Sequence, residues 1–130
     1  MRKGFVYILS NKNRTTFYIG VTSDIKRRVL EHKTGKGSTF TTKYNLTDLV
    51  YYEKTEGMDE CINREKQLKN WHRDWKINLI KKLNPEMEDL AQDWYIEQNG
   101  MLVIADRIHA NEFFKKVNNN TPTDPETSSG

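Results

Sequence analysis

Two short runs near the N-terminus, Phe5-Val6-Tyr7-Ile8-Leu9 and Phe17-Tyr18-Ile19-Gly20-Val21, decide how the chain is read. Phe5, Tyr7 and Leu9 alternate with Val6 and Ile8, so this strand is apolar on both faces and must be covered on both. Polar residues 11–16 join it to the second run. So short a link predicts an antiparallel hairpin of strands over 4–10 and 17–22. Gly20 inside the second strand signals a bulge or a close backbone approach.

Outward from this hairpin, Thr22-Ser23-Asp24 offers N-caps for a helix over 24–33 that buries Ile25 and Val29 and ends at Gly35 and Gly37. Residues 36–47 read as a long loop, basic and rich in hydroxyls, with Phe40 and Tyr44 interleaved. Leu49 to Tyr52 reads as a third strand. Residues 57–83 read as helical, with a break near 72–75 and a stop at Pro85. Trp71 and Trp75, one turn apart, read as core. Residues 86–98 read as an acidic helix and 101–117 as a further helix, while the Asn-, Pro- and Thr-rich end reads as disordered. The expected organisation is a domain over 1–95, a helical extension over 96–118 and a disordered tail over 119–130.

A chain of 130 residues can bury a core without staples. The single cysteine, Cys61, provides neither a disulfide framework nor a Cys-rich zinc site, which fits a reducing compartment. No run is long enough to span a bilayer and no signal-peptide pattern opens the chain, so the expectation is a cytoplasmic protein with no membrane partner. The net charge of +3 hides an asymmetry. Residues 1–83 hold 18 basic and 9 acidic side chains, net +9; residues 84–130 hold 3 basic and 9 acidic, net −6. A basic body points to a polyanionic partner, because neutralising phosphates releases counterions.

Five side chains carry the chemistry. Glu65 lies three residues from Ile62 and three from Leu68, on an apolar helical stripe. An ionised carboxylate there is paired, reaches water from the edge of the stripe, or binds a metal, and spacing leaves these readings open. Arg28 and His32 are i,i+4 neighbours. Arg28 offers a planar fork for a phosphate, or a solvated basic face; His32 offers a proton-transfer group, or a helix C-terminal histidine favoured by the dipole. Tyr7 and Tyr18, taken singly, read as packing with a hydrogen-bonded tip. Lys66, Lys69, Arg73 and Lys76 form a wet basic face that can touch a backbone, and His72 and His109 read as surface. Residues 35–38 lack the pattern of a phosphate-binding loop.

In order along the chain, these residues resemble the GIY-YIG nuclease superfamily, and in particular its small stand-alone bacterial members. Val6-Tyr7-Ile8 stands at the first tripeptide, with Val6 in place of Gly and Ile8 in place of the final Tyr, and Tyr18-Ile19-Gly20 is the second in full. Residues 24–32 resemble the family's arginine helix, 63–69 its glutamate helix, and Leu83-Asn84-Pro85 its closing asparagine motif. The resemblance covers residues 3–94. It implies an α+β fold, a three-stranded antiparallel sheet flanked by helices, and hydrolysis of DNA phosphodiesters with one divalent ion, Mg²⁺ or Mn²⁺, in repair, recombination or mobile-element processing.

The same resemblance implies the roles. Glu65 would bind the metal, Arg28 would clamp the scissile phosphate, Tyr7 would be the general base with His32 as its rival, and Tyr18 would orient water. Gly20 and Asn84 would support the site, and Lys26, Arg27, Lys36, Lys43, Lys66 and Lys69 would meet the nucleic acid. DNA is the expected partner, RNA the other polyanion of the same chemistry, and no organic cofactor is expected. The competing reading is a catalytically silent nucleic-acid-binding module with the same fold.

Overall fold

The structure is a computed structural model and describes residues 3–105. Its centre is an antiparallel sheet of three strands, β1 (Gly4–Ser10), β2 (Phe17–Thr22) and β3 (Asp48–Thr55), in the order β2-β1-β3. The central strand is apolar on both faces, as its alternation requires. Val6 and Ile8 join Ile19, Val50, Tyr51, Cys61, Leu68 and Ile80 in one core. Tyr7 and Leu9 join Ile25, Val29, Leu46, Leu49, Ala91 and Trp94 in the other.

Helix α1 (Ile25–Lys33) covers the Tyr7 face. Asp24 caps it by accepting from the Arg27 amide, and its exit runs through Thr34 and Gly35, whose φ of 80° is left-handed. Helices α3 (Met58–Lys69) and α4 (Arg73–Leu83) cover the Val6 face. The expected break in the long helical run falls at residues 70–72. Among the described residues no helix is long and apolar enough to cross a membrane.

Strand β3 carries a bulge. Ile8 pairs with Tyr51 but Leu9 pairs with Leu49, so Val50 is an extra residue. Val50 and Tyr51 therefore face the same core, while Leu49 and Tyr52 face the other. Buried Asn84 clamps this irregularity. Its Nδ2 donates to the carbonyls of Val50 (3.0 Å) and Glu88 (2.8 Å), and its Oδ1 accepts from the Glu88 amide.

Several expectations are corrected. The presumed loop over 36–47 contains a short helix, α2 (Thr39–Lys43), with Ser38 and Thr41 forming a reciprocal capping box. The presumed helix over 86–98 is absent: residues 84–94 form turns, and β4 (Tyr95–Gln98) pairs antiparallel with β5 (Met101–Ile104). Asn99 and Gly100 both have positive φ, as a tight two-residue hairpin turn demands. The described start of the expected helices over 96–118 and 101–117 is therefore strand, and the boundary at 95 falls on the first residue of this hairpin. The remainder of those segments, the tail and His109 lie outside the described residues. Trp75 is 55% exposed rather than core, stacked edge-on against half-buried Trp71.

The turn-and-hairpin segment is bound to the domain by specific polar contacts. The Asp89 carboxylate accepts from the Leu49 and Ala91 amides and pairs with Lys33 Nζ at 2.6 Å. Tyr95 Oη donates to the Lys26 carbonyl at 2.7 Å, and the Leu90 amide donates to the Leu49 carbonyl. Trp94 is buried beneath α1, with Lys26 Nζ over its ring.

Candidate active site

The site is built on the central strand. Tyr7 points from β1 towards α1 and is 1% exposed. It pairs with Gly20 across the hairpin, and the missing side chain there is what admits the phenol. A Cβ on Gly20 would stand 2.5 Å from Tyr7 Oη and 3.0 Å from the Tyr18 ring. The glycine is thus a close-approach position, as its place inside a strand suggested.

From α1, His32 reaches back over the sheet. Its Nε2 lies 3.0 Å from Tyr7 Oη and its Nδ1 3.0 Å from Thr41 Oγ1. The Thr41 hydroxyl also donates to the Ser38 carbonyl at 3.1 Å and accepts from the Ser38 amide at 3.1 Å. When the Thr41 hydroxyl donates to Ser38 it accepts from His32 Nδ1–H, and Nε2 is then placed to accept from Tyr7. The buried network is then satisfied throughout: Tyr7 to His32 to Thr41 to Ser38. Gly37 makes room for the imidazole, since a Cβ there would lie 2.2 Å from His32 Nδ1.

Burial sets the protonation states. It pushes the Tyr7 phenol up to about 12, with the Arg28 guanidinium beside its hydroxyl pulling the other way. Burial, helped by the Arg28 charge, pushes His32 down to about 4. Near neutral pH the resting site therefore holds a protonated phenol and a neutral imidazole. Arg28 stays charged: its Nη1 donates to Glu31 Oε1 at 2.7 Å, and that carboxylate together with the Tyr7 hydroxyl offsets its desolvation. Tyr18 is half-buried, with its ring 5.7 Å from His32 and 6.3 Å from Tyr7.

Glu65 comes from a different element, α3. It sits between buried Cys61 and Leu68, while Ile62, its expected companion on the stripe, is exposed. The Glu65 side chain is 19% exposed, and its Oε2 pairs with Lys69 Nζ at 3.1 Å. Cys61, one turn earlier, lies against the Thr22 backbone just before α1 begins. No group of three or more His, Cys, Asp or Glu side chains gathers among the described residues. A divalent ion here would have Glu65 as its protein ligand, with phosphate and water supplying the other oxygens. That suits an ion which keeps several waters.

Of the other expected positions, Asn84 is a clamp on the β3 bulge, hydrogen-bonded to Val50 and Glu88. Arg27, Lys36, Lys43, Lys66 and Lys69 are exposed, and Lys26 lies over Trp94. Sequence reasoning missed Thr41, Ser38 and Gly37, which hold His32 in place. The signal was available as Ser38-x-x-Thr41, a cap pattern inside an apparent loop.

The model of the GIY-YIG catalytic domain matches residues 3–78. Among curated proteins, the chain is 38% identical over 87 residues to a UPF0213 protein of Syntrophus aciditrophicus, covering 66% of this chain and 98% of that protein. It is 35% identical over 81 residues to a UPF0213 protein of Staphylococcus epidermidis, covering 62% and 98%. Among solved structures, it is similar to the solution structure of a UPF0213 protein of Bacillus halodurans, with 27% identity, TM-score 0.45, and coverage of 70% of this chain and 96% of that one. A sheet with Tyr7 beside Gly20, flanked by the helices that carry Arg28, His32 and Glu65, together with a family match over more than half its length, places this chain in the GIY-YIG nuclease family.

Proposed function

We propose that the protein is an endonuclease that hydrolyses DNA phosphodiesters with the help of one divalent ion, Mg²⁺ or Mn²⁺, in a DNA-processing setting such as repair, recombination or mobile-element traffic. The observation that carries this reading is the Tyr7 hydroxyl, held between neutral His32 Nε2 and the Arg28 guanidinium at the floor of the site. Arg28 binds the scissile phosphate, exchanging Glu31 for it, and offsets charge that builds on the phosphoryl oxygens. Tyr7 takes a proton from the attacking water as its own proton passes to His32 Nε2. Thr41 holds the tautomer that permits this transfer. The negative charge of the arriving phosphodiester raises the basicity of both groups from their resting values. Bound at Glu65, the metal would supply Lewis-acid stabilisation of the leaving oxygen.

The test is cleavage of single-stranded, duplex and branched DNA with Mg²⁺ or Mn²⁺. Arg28→Ala, Tyr7→Phe and Glu65→Ala, folded by circular dichroism, are each expected to lose cutting by about 100-fold or more. Full activity in Glu65→Ala would end the metal-ligand role. A silent nucleic-acid-binding module is the second reading, motivated by the internal pairing of Arg28 with Glu31 and Glu65 with Lys69. It predicts salt-sensitive DNA binding with no metal-dependent product on any substrate.

A further inference from the structure

A ladder of aromatic rings leads out of the site onto α2. Half-buried Tyr18 is followed by Phe40 at 6.2 Å between ring centroids, and Phe40 by Tyr44 at 4.8 Å. The two outer rings are 44% and 43% exposed, far more than the core aromatics Tyr7, Tyr51 and Trp94. Lys43 places its Nζ 5.3 Å from the Tyr44 ring centre, so the outer step of the ladder carries a cation. Phe40 lies on, and Tyr44 C-caps, the same five-residue helix that carries Thr41, whose hydroxyl contacts His32 Nδ1. Their position relative to the reacting centre is therefore set by the same short element.

Exposed flat rings beside a cation match one ligand chemistry: a nucleobase with its face uncovered and a phosphate alongside. A base within a duplex has both faces occupied by its neighbours and offers neither to a protein ring. We infer that Phe40 and Tyr44 form a stacking platform for unpaired bases next to the phosphate held at Arg28, so the preferred substrate is a single-stranded or locally opened DNA segment. This rests on the nuclease reading for the placement of the phosphate, and it adds a substrate class and two binding residues. Tyr18 is the inner end of the platform and couples a base to the ring cluster of the site.

The experiment is equilibrium binding of the full chain, in EDTA so that nothing is cut. One probe is a short single strand carrying 2-aminopurine; the other is a blunt duplex of the same sequence. The single strand is expected to bind more tightly, with quenching of 2-aminopurine on stacking. Phe40→Ala and Tyr44→Ala should each weaken it by about 5- to 150-fold, with little effect on the duplex. Phe40→Leu and Tyr44→Leu, which keep apolar bulk but remove the ring face, should behave as the alanine variants do. Phe40→Trp should retain binding, and Trp75→Ala, an exposed aromatic on α4, should change nothing. Single-strand affinity within twofold of wild type in folded Phe40→Leu and Tyr44→Leu overturns the platform and leaves the nuclease reading standing. So does self-association of the wild-type chain that these variants abolish while single-strand affinity is unchanged. Failure of the wild-type chain to bind either probe overturns both.

Discussion

At the scale of the residue, His32 makes the sharpest prediction because its two ring nitrogens are both used inside the fold. Its protonated form is disfavoured in the folded state, down to about 4 from the ordinary 6.5. Between those values the unfolded chain binds the proton and the folded chain does not, so stability falls as pH drops through that window. The expected loss approaches about 3 kcal/mol by pH 4. Denaturant titrations at a series of pH values check it, and His32→Gln should flatten the curve over that window. Tyr7→Phe removes only the hydroxyl and is expected to cost about 1 kcal/mol of stability, so lost cutting in that variant reports chemistry. Gly20→Ala forces a methyl group against Tyr7 Oη; unfolding experiments should show about 1–3 kcal/mol of destabilisation, with cleavage impaired as well.

At the scale of the element, α2 shows why part of the site was hard to see in the sequence. The strands of the central hairpin were legible because two-faced burial writes a clear pattern, and α1 because Asp24, Ile25 and Val29 mark its cap and stripe. Five residues, Thr39 to Lys43, are too few to show helical period, and their hydroxyls read equally well as loop. The hairpin over 95–104 is hard to see in the sequence for another reason. Apolar Met101 to Ile104 fits strand or helix by spacing, and the Asn99-Gly100 turn was the arbiter that should have decided it. Arg28, Glu65 and the tyrosines were legible as a set, but Thr41 was not, since its importance lies in what it touches. Thr41→Val keeps the shape and removes one half of the capping box and the anchor on His32 Nδ1. It is expected to cost about 1–2 kcal/mol of stability and to lower the turnover rate, while Thr41→Ser restores most of both. Thermal melts and cleavage rates on the same preparations check the pair.

For the whole molecule, the acidic later segment is a structural partner of the basic domain. Asp89 meets Lys33, Tyr95 meets the Lys26 carbonyl in the first turn of α1, and Trp94 fills the core under it. Trp94→Ala is expected to cost about 3–5 kcal/mol, measurable by urea unfolding. A chain ending at residue 94 should melt well below one ending at residue 105, because it loses the hairpin and the bond from the Ala105 amide to the Trp94 carbonyl. The family-model match stops at residue 78, short of Asp89, Trp94 and Tyr95, which complete the wall behind α1.

That wall also bears on timing. All five side chains of the site are in place in the sequence by residue 65, yet the helix carrying Arg28 and His32 leans on Ala91, Trp94 and Tyr95. During synthesis the reactive groups leave the ribosome well before the surface that aligns them. A growing chain therefore carries the candidate site past the ribosome before its supporting wall, which is complete only once residues 89–95 have emerged.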